Sequence, residues 1–442
     1  MTGPAVHKIV QITYDNTSDR KIPPEHFVIP AKDKGHIVYF PRKGICALVN
    51  KEFVKRINAR DPVVRELFKL VARQPTVEMT EMNFGDGMIL CLTTDCNLRC
   101  IYCYARGGDK PKYTTWPAAK AAINWALAQC KTKEFRLMFH GGGEPTLAFD
   151  MMQRCYEYAL EKCRKRHIKL TAYTATNGTL SEKQIMWFAK VDMGVSLSFD
   201  GMPDFQNAHR PFRNSIVPSY PVVSRTIQLF NKYRIRYIVN VVVTKDMMPR
   251  LPDLIRNLHS LGVKNCAFSP ASEWGRCSKS HVIQNNNRFV KLYAKCLAFA
   301  KRHGMNFDPA IPELLFSGRM YDKACPAAGF SIAVMPDGDI TSCLPVGETA
   351  DPASKIFFYG KIKGNKVEID KKKLAYLRSR TVDRIPECKN CFAKYLCCGD
   401  CLLSAFRENG SIFKPSATKC LREKELYYKP FLQKLFTLPV TK

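Results

Sequence analysis

The stretch MILCLTTDCNLRCIYCYARGG, residues 88–108, joins an apolar run to three cysteines. MILCLTT (88–94) is typical of a strand, and Cys96, Cys100 and Cys103 follow it at spacings of three and two residues. In parallel α/β folds, ligands bind at the carboxyl ends of strands, so this position suits a functional site. Thiolates favour zinc or iron–sulfur clusters. Three thiolates on a four-iron cubane leave one iron open to a small molecule, which accounts for the absent fourth ligand.

Around this stretch, strand-like and helix-like segments alternate from residue 87 to residue 304. Such alternation predicts an α/β fold with a parallel sheet and right-handed crossovers. Six units predict a partial (β/α)6 TIM-like barrel, with a doubly wound sheet as the alternative. The predicted strands are 88–94, 135–140, 170–177, 194–200, 235–244 and 264–270, and the predicted helices are 116–130, 149–166, 181–191, 220–233, 251–262 and 287–304.

Composition divides the rest of the chain into further segments. Residues 1–83 predict a small N-terminal α+β module, followed by the barrel over 84–305. Residues 306–425 are rich in Cys, Gly, Pro and Lys. We expect bound metal to stabilise this segment in place of a conventional hydrophobic core. Residues 426–442 are predicted to form a C-terminal helix or tail. Within the N-terminal module the predicted strands are 10–14, 36–40 and 46–50, the predicted turn is 41–44, and the predicted helices are 53–58 and 63–73.

The overall composition limits the class of protein. Nineteen cysteines in 442 residues favour metal binding over disulfides in a reducing compartment. No apolar run is long enough to span a membrane, and the first residues lack a signal-peptide pattern, so we expect a cytoplasmic protein without a membrane partner. The net charge of +30 favours an acidic partner. A nucleic-acid partner is disfavoured because no aromatic-studded basic stripe or known nucleic-acid module stands out.

The cysteine motif, with Tyr102 before its last cysteine, resembles the signature of the radical SAM superfamily. GGGEP (141–145) follows the second strand, as does that family's glycine motif, and TNG (176–178) and SFDG (198–201) end the next two strands. The resemblance implies a [4Fe–4S] cluster on Cys96, Cys100 and Cys103 that binds S-adenosylmethionine, cleaved to a 5′-deoxyadenosyl radical with one electron from a donor such as flavodoxin or ferredoxin. The implied contacts to S-adenosylmethionine are Tyr102, Gly142, Gly143, Glu144, Asn177, Ser198, Asp200 and Arg210.

Each of these residues also has a purely structural interpretation. The glycines suit a strand-to-helix turn and a close approach of the backbone. Strand-end capping accounts for the polar residues that end the third and fourth strands. Arg210 suits a surface salt bridge, and His140 suits a structural role. Only the joint placement at successive strand ends favours cofactor contacts.

A second cysteine array, ending in CKNCFAKYLCCGDC (388–401) and a later cysteine, resembles the SPASM domain of radical SAM enzymes that act on peptides and proteins. That resemblance implies two auxiliary [4Fe–4S] clusters, three in all with the first. A zinc-ribbon-like module is the alternative. Cys398 is interpreted as a spare thiol, and Arg319 stands where some relatives supply an eighth ligand. The implied ligand sets are Cys388, Cys391, Cys397 and Cys420 for one cluster and Cys325, Cys343 and Cys401 for the other.

These resemblances imply a radical SAM oxidoreductase that acts on a peptide or protein. In sulfatase maturases an acidic residue usually follows the cysteine that matches Cys343, whereas here Leu344 follows it. The first hypothesis is therefore a peptide maturase that forms a thioether or carbon–carbon crosslink in a ribosomally made precursor. By analogy with such maturases, residues 1–83 are interpreted as a winged-helix module that would bind its acidic leader. The alternatives are a formylglycine-forming sulfatase maturase and, from another class, a nucleic-acid-binding iron–sulfur protein.

Overall fold

The structure is a computed structural model, which describes residues 25–30, 35–43, 45–58, 61–74, 76, 79, 82, 84–283, 286–307 and 320–424. The predicted strand at 10–14, the Arg319 position and the C-terminal segment 426–442 lie outside these residues. The chain divides into two compact units. One comprises Met1–Glu81, Pro309–Cys325 and Arg380–Lys442, and the other comprises Met82–Asp308 and Pro326–Ser379.

The second unit is built on one open sheet of eleven strands. Its six central strands are parallel, and each pairs with the strand that follows it along the chain. In the described strand order, no reversal of direction along the sheet occurs, as a doubly wound sheet would require. The partial (β/α)6 barrel is therefore confirmed. The central strands are β4 (Gly87–Leu90), β5 (Glu134–Phe139), β6 (Lys169–Thr176), β7 (Gly194–Ser198), β8 (Tyr237–Val243) and β9 (Asn265–Pro270).

Helices connect these strands at the positions that apolar periodicity predicts. The helix after the third strand begins with a capping box, in which Ser181 and Gln184 exchange side-chain and backbone hydrogen bonds. A short helix after the fourth strand was not predicted, because seven residues give too little periodicity to detect. The helices are α3 (Trp116–Gln129), α4 (Phe149–Lys165), α5 (Glu182–Lys190), α6 (Pro203–His209), α7 (Ser219–Lys232), α8 (Leu251–Ser260) and α9 (Asn286–Arg302).

Further strands extend this sheet at both edges. A two-residue strand, β10 (Asn306–Phe307), pairs parallel with β9, and four strands from the cysteine-rich segment continue from β4. The predicted segment 306–425 is thus divided between the two units, because short strands within it complete the barrel sheet. The added elements are β11 (Ala333–Val334), β12 (Asp339–Thr341), α10 (Ser354–Phe357), β13 (Phe358–Lys363), β14 (Lys366–Ile369) and α11 (Lys371–Arg378).

The first unit contains a three-stranded antiparallel sheet followed by two helices. The apolar face of the second helix packs with the sheet around Phe40, Phe53 and Phe68. Asp61 caps that helix by accepting a hydrogen bond from the Val63 amide at 2.8 Å. The elements are β1 (Phe27–Pro30), β2 (His36–Phe40), β3 (Ile45–Val49), α1 (Lys51–Asn58), α2 (Pro62–Arg73), α12 (Lys394–Cys397) and α13 (Leu402–Asn409).

Polar contacts join the N-terminal sheet region to the cysteine-rich segment within this unit. Arg42 donates to the Tyr395 hydroxyl at 2.9 Å, and Lys394 forms ion pairs with Glu25 at 3.1 Å and with Asp383 at 2.7 Å. Residues 25–79 are consequently part of the same compact unit as the second cysteine array. No helix in the described part of the chain combines the length and apolar character needed to cross a membrane.

Candidate active site

The three cysteines of the first motif lie in the loop after β4, and each sulfur accepts a hydrogen bond from a nitrogen donor. Cys96 Sγ accepts from Asn177 Nδ2 at 3.9 Å, and Cys100 Sγ accepts from Arg210 Nη1 at 3.9 Å. Cys103 Sγ accepts from the Gly107 amide at 3.4 Å. Donors directed at sulfur stabilise thiolates and tune cluster potentials. This donor set fits an iron–sulfur cluster.

Burial keeps these thiols protonated when no metal is bound. It raises the pKa of Cys96 to about 12, with the nearby Glu144 and Cys100 adding to the shift. It likewise raises the pKa of Cys100 to about 11, although Arg210 opposes the rise. As free thiols both would keep their protons at neutral pH, so metal binding must displace those protons.

Two arginines that the sequence did not single out hold this loop. Arg276 donates to the Cys100 carbonyl at 3.0 Å and forms an ion pair with Asp109 at 2.6 Å. Arg213 forms an ion pair with Asp95 at 2.7 Å. Both arginines lie more than 100 residues after their partners, and no local sequence signal connects them to the motif.

The glycine motif packs directly against the start of the cysteine loop. A side chain at Gly143 would place its Cβ 1.8 Å from the Asp95 carbonyl oxygen, and Gly142 adopts a positive φ of 69°. The Gly143 and Glu144 amides donate to the carbonyls of Thr93 and Asp95 at 3.0 and 2.7 Å. Close backbone approach therefore requires these glycines, in agreement with the structural interpretation. Their contact with S-adenosylmethionine stays a prediction.

Glu144 is almost fully buried and is held by the chain itself. Its Oε1 accepts from the side chains of Thr146 and Thr176 at 2.7 and 2.9 Å, and Oε2 accepts from the Asn177 amide at 2.6 Å. Burial raises the pKa of this carboxyl, while these hydrogen bonds lower it. Because Oε2 accepts only this one hydrogen bond in the described residues, it retains a lone pair for an ammonium group.

A buried charge cluster lies behind the cysteine loop and is centred on Asp200, which has no solvent exposure. Arg210 Nε binds Asp200 Oδ1 at 3.1 Å, and the Tyr102 hydroxyl donates to Oδ2. His209 Nδ1 lies 3.6 Å from Oδ2, while its Nε2 lies 2.9 Å from Asp246. The surface salt bridge considered for Arg210 is wrong, because its side chain is buried in this cluster.

Electrostatic effects maintain the charges in this cluster. Burial by itself lowers the pKa of Arg210, but Asp200 and Tyr102 raise it overall. Burial likewise lowers the pKa of His209, and the hydrogen bond and charge of Asp200 reverse the shift. Since Arg210 also reaches the Cys100 sulfur, the cluster links the strand-end residue Asp200 to the cysteine loop.

The remaining predicted residues lie at the ends of β6 and β7. Asn177 contacts Cys96, Asn97 and Thr179, so its amide bridges the cysteine loop and the third strand end. Ser198 ends β7 and is half-buried. The strand-end pattern thus brings Asn177 and Asp200 to the cysteine loop.

A cavity of about 1260 Å³ is lined by residues of the strands β5 to β9 and of the segments beside them. Along β5, Phe135, Leu137 and Phe139 are buried, whereas the alternate residues Met138 and His140 line this cavity. Burial lowers the pKa of His140 to about 4, so its imidazole is neutral at pH 7. His140 is therefore a cavity-lining group.

In the first unit, four of the second-array cysteines lie within electrostatic range of one another. Cys391 and Cys420 act on the Cys388 thiol, whose pKa burial and these neighbours raise to about 11. Burial also raises the pKa of Cys397, and Cys420 contributes. These are the four residues expected to share one cluster. In the described part of the chain, no group of three or more His, Cys, Asp or Glu side chains is arranged to hold a single metal ion.

Cys343 belongs to the second unit, whereas the other cysteines of this array belong to the first. Burial raises the pKa of Tyr104, and Cys103, Cys91 and Cys343 add to the rise, so Tyr104 lies within electrostatic range of one cysteine from each array. The predicted partnership of Cys343 with Cys325 and Cys401 stays a prediction.

Residues 90–268 match the family model described as the radical SAM superfamily. This stretch is a radical SAM domain. It contains the cysteine loop, the glycine motif and the buried Asp200 cluster. If this domain binds an iron–sulfur cluster, Cys96, Cys100 and Cys103 would be the ligands of that cluster. Together with S-adenosylmethionine, the cluster would supply one-electron chemistry.

Curated proteins extend the similarity beyond the radical SAM domain. An uncharacterized protein of Methanocaldococcus jannaschii is 30% identical over 189 residues, which cover 41% of this chain and 63% of that protein. This chain therefore spans less than two thirds of that relative. The cysteine-type anaerobic sulfatase-maturating enzyme of Clostridium perfringens is 23% identical over 57% of this chain and 72% of its own length. The subtilosin biosynthesis protein AlbA of Bacillus subtilis is 22% identical over 57% of this chain and 53% of its own length.

Two solved structures share the fold around the radical SAM domain. The structure of anSMEcpe with bound AdoMet and Kp18Cys peptide has a TM-score of 0.66 and 19% identity, covering 79% of this chain and 98% of that chain. Streptococcus suis SuiB bound to precursor peptide SuiA has a TM-score of 0.55 and 14% identity, covering 89% of this chain and 99% of that chain. At these identities, the likeness extends to the fold.

Proposed function

We propose that this protein is a radical SAM peptide maturase that oxidatively crosslinks a ribosomally made precursor. In this proposal the three-cysteine loop holds the cluster that binds S-adenosylmethionine, and the second array holds two auxiliary [4Fe–4S] clusters. A flavodoxin or ferredoxin supplies the initiating electron. Relatives and fold neighbours include sulfatase maturases, a bacteriocin biosynthesis protein and a precursor-peptide-bound enzyme, and these support a peptide or protein substrate.

The side chain after Cys343 is the observation that favours crosslinking over formylglycine formation. A side chain at Gly141, the first glycine of GGGEP, would place its Cβ 2.5 Å from Leu344 Cδ1. Residue 344 therefore lies beside the glycine motif, where an acidic residue is expected in sulfatase maturases. An apolar Leu344 cannot accept the proton that formylglycine formation releases. The sulfatase-maturase activity is the second candidate, supported by the sulfatase-maturating relatives.

The mass of the modified peptide tests the reaction type. We expect the anaerobically reconstituted enzyme to remove two hydrogens per modification from a precursor encoded beside its gene, because crosslinking oxidises the substrate by two electrons. One hydrogen leaves with the deoxyadenosyl radical, and the second electron passes to an auxiliary cluster as the second proton leaves. High-resolution mass spectrometry measures the product, and a peptide with a sulfatase-type cysteine motif serves as the comparison. An unchanged mass with inverted stereochemistry, or an added methyl group, would contradict crosslinking.

The cluster proposed for Cys325, Cys343 and Cys401 has three protein ligands, so one of its irons would be open. We expect a soft substrate thiolate to bind that iron more tightly than a hydroxyl group does. Cysteine-containing precursors should accordingly bind more tightly than their serine variants. Equal affinities would remove this role for the open iron without affecting the crosslinking assignment.

The N-terminal sheet and helices are proposed to bind the leader of that precursor. Leu48 on the edge strand β3 and Leu70 on α2 are 43% and 56% exposed, so both offer apolar surface to a peptide strand. Deleting residues 1–83 would also remove the Arg42–Tyr395 and Lys394–Glu25 contacts, so a deletion cannot report binding alone.

Point substitutions avoid this difficulty. We expect Leu48→Glu combined with Leu70→Glu to weaken precursor binding about tenfold, because the variant removes apolar contacts and repels an acidic leader. Uncoupled cleavage of S-adenosylmethionine should be unchanged. Fluorescence anisotropy of a labelled precursor measures affinity, and Met186→Glu, at a 53% exposed position of the barrel, is the matched control. An unchanged affinity would exclude this apolar surface from peptide recognition.

A further inference from the structure

Arg380 is a fully buried side chain in the first unit, with no solvent exposure. Its Nη1 and Nη2 donate to the carbonyls of Cys398 at 2.6 Å and Asp400 at 3.1 Å, and Nη2 also donates to the Gly399 carbonyl. Its Nε donates to the Ile412 carbonyl at 3.1 Å. An arginine remains protonated in proteins, so these contacts surround a permanent positive charge.

The four acceptors are all neutral carbonyls in the described part of the chain. A buried charge is costly unless an opposite charge compensates it. The Asp400 carboxyl acts on Arg380 only through space, as do the sulfurs of Cys325, Cys388 and Cys397. The surroundings of this guanidinium therefore contain cysteine groups from both proposed auxiliary ligand sets.

Arg380 also holds an unusual backbone segment between two cysteines. Cys398, Gly399 and Asp400 have φ values of 53°, 78° and 68°, three consecutive left-handed residues. Left-handed conformations are unfavourable for residues other than glycine. The carbonyls of these three residues all accept hydrogen bonds from Arg380, so its guanidinium fixes the path of the chain from Cys397 to Cys401.

We propose that Arg380 is a positioning residue shared by both auxiliary clusters, and that its buried charge raises their reduction potentials. The inference rests on the proposed presence of these clusters. Thiolate-ligated clusters carry net negative charge, which increases on reduction, so a fixed positive charge nearby stabilises the reduced form. The fork also separates Cys397 and Cys401, which are assigned to different clusters.

An anaerobic redox titration followed by electron paramagnetic resonance tests this proposal. The full-length Cys96/Cys100/Cys103→Ala variant provides the background, because its signal comes from the auxiliary clusters alone. In this background we expect Arg380→Gln to lower the equilibrium constant for reduction of at least one auxiliary cluster about tenfold. For a one-electron couple, this corresponds to a fall of about 59 mV in the reduction potential. Arg380→Lys, which keeps the charge, should change it less than twofold. The control Arg407→Gln removes an exposed charge in the same unit and should also change it less than twofold.

Each outcome decides between the possible roles of Arg380. With the clusters intact, an unchanged potential in Arg380→Gln would overturn the inference. Arg380→Gln could instead prevent assembly of the auxiliary clusters. In that case, retention of iron by Arg380→Lys would support the role of the charge. Loss of iron in both variants would assign Arg380 a purely structural role and overturn the inference. Failure of the proposed function is distinguishable, because the intact protein without any substitution would then bind only about four irons, those of the first cluster.

Discussion

Replacement of Cys96, Cys100 and Cys103 by alanine is expected to abolish 5′-deoxyadenosine formation completely. The intact protein should bind about twelve irons, as three four-iron clusters, and the variant about eight. The sulfurs that accept from Asn177, Arg210 and the Gly107 amide are then absent, so nothing remains to hold the first cluster. An iron assay measures the iron content of both proteins, and chromatography measures the 5′-deoxyadenosine that each one forms.

Two controls make this result specific to the first cluster. Cys155→Ala removes a buried thiol of α4 that belongs to neither array and should leave both the iron count and cleavage unchanged. Cleavage that persisted in the triple variant would reject the proposed cleavage site. A fall to zero iron would instead indicate that the first cluster is required for assembly of the others.

The second large effect concerns the buried charge of Asp200. We expect Asp200→Asn to lower the free energy of unfolding by about 3–5 kcal/mol, because it leaves the Arg210 guanidinium buried without its counter-ion. Urea titration followed by tryptophan fluorescence measures this loss. Combining Asp200→Asn with Arg210→Gln should cost less than the sum of the single substitutions, because the two side chains interact directly.

An exposed ion pair in the same unit provides the matched control. Arg236 and Asp192 pair at 2.9 Å with side chains that are 51% and 80% exposed. Asp192→Asn should therefore change the free energy of unfolding by less than about 1 kcal/mol. Similar losses in Asp192→Asn and Asp200→Asn would contradict the importance of the buried pair.

Local sequence signals were sufficient to predict most strands and helices of the barrel. Apolar periodicity placed all six strand–helix units, because each helix buries one face and each central strand is apolar. Strand-end position brought Asn177 and Asp200 to the cysteine loop, since parallel strands end at the same edge of the sheet. The strands β11 and β12 were missed, because segments of two and three residues are stabilised by pairing with a neighbouring strand and not by their own pattern.

Long-range polar contacts were beyond local sequence reasoning. Arg276 and Arg380 gave no signal, because their acceptors are mostly backbone carbonyls, which every residue carries. Glu144 was identified by its motif, yet its threonine partners were not. The interpretation of Arg210 as a surface residue failed because burial of a charge becomes apparent only when its partner is in place.

The first unit is built from segments that lie far apart in the sequence, which determines when it can fold during synthesis. Arg42 and Tyr395 are hydrogen-bonded although 353 residues separate them. At a synthesis rate of about 5–20 residues per second, the N-terminal segment exists for roughly 20–70 s before its partner is made. The barrel segment leaves the ribosome in that interval. We therefore expect the first unit to mature only after the segment around Tyr395 has left the ribosome, which places insertion of the auxiliary clusters after synthesis of the barrel.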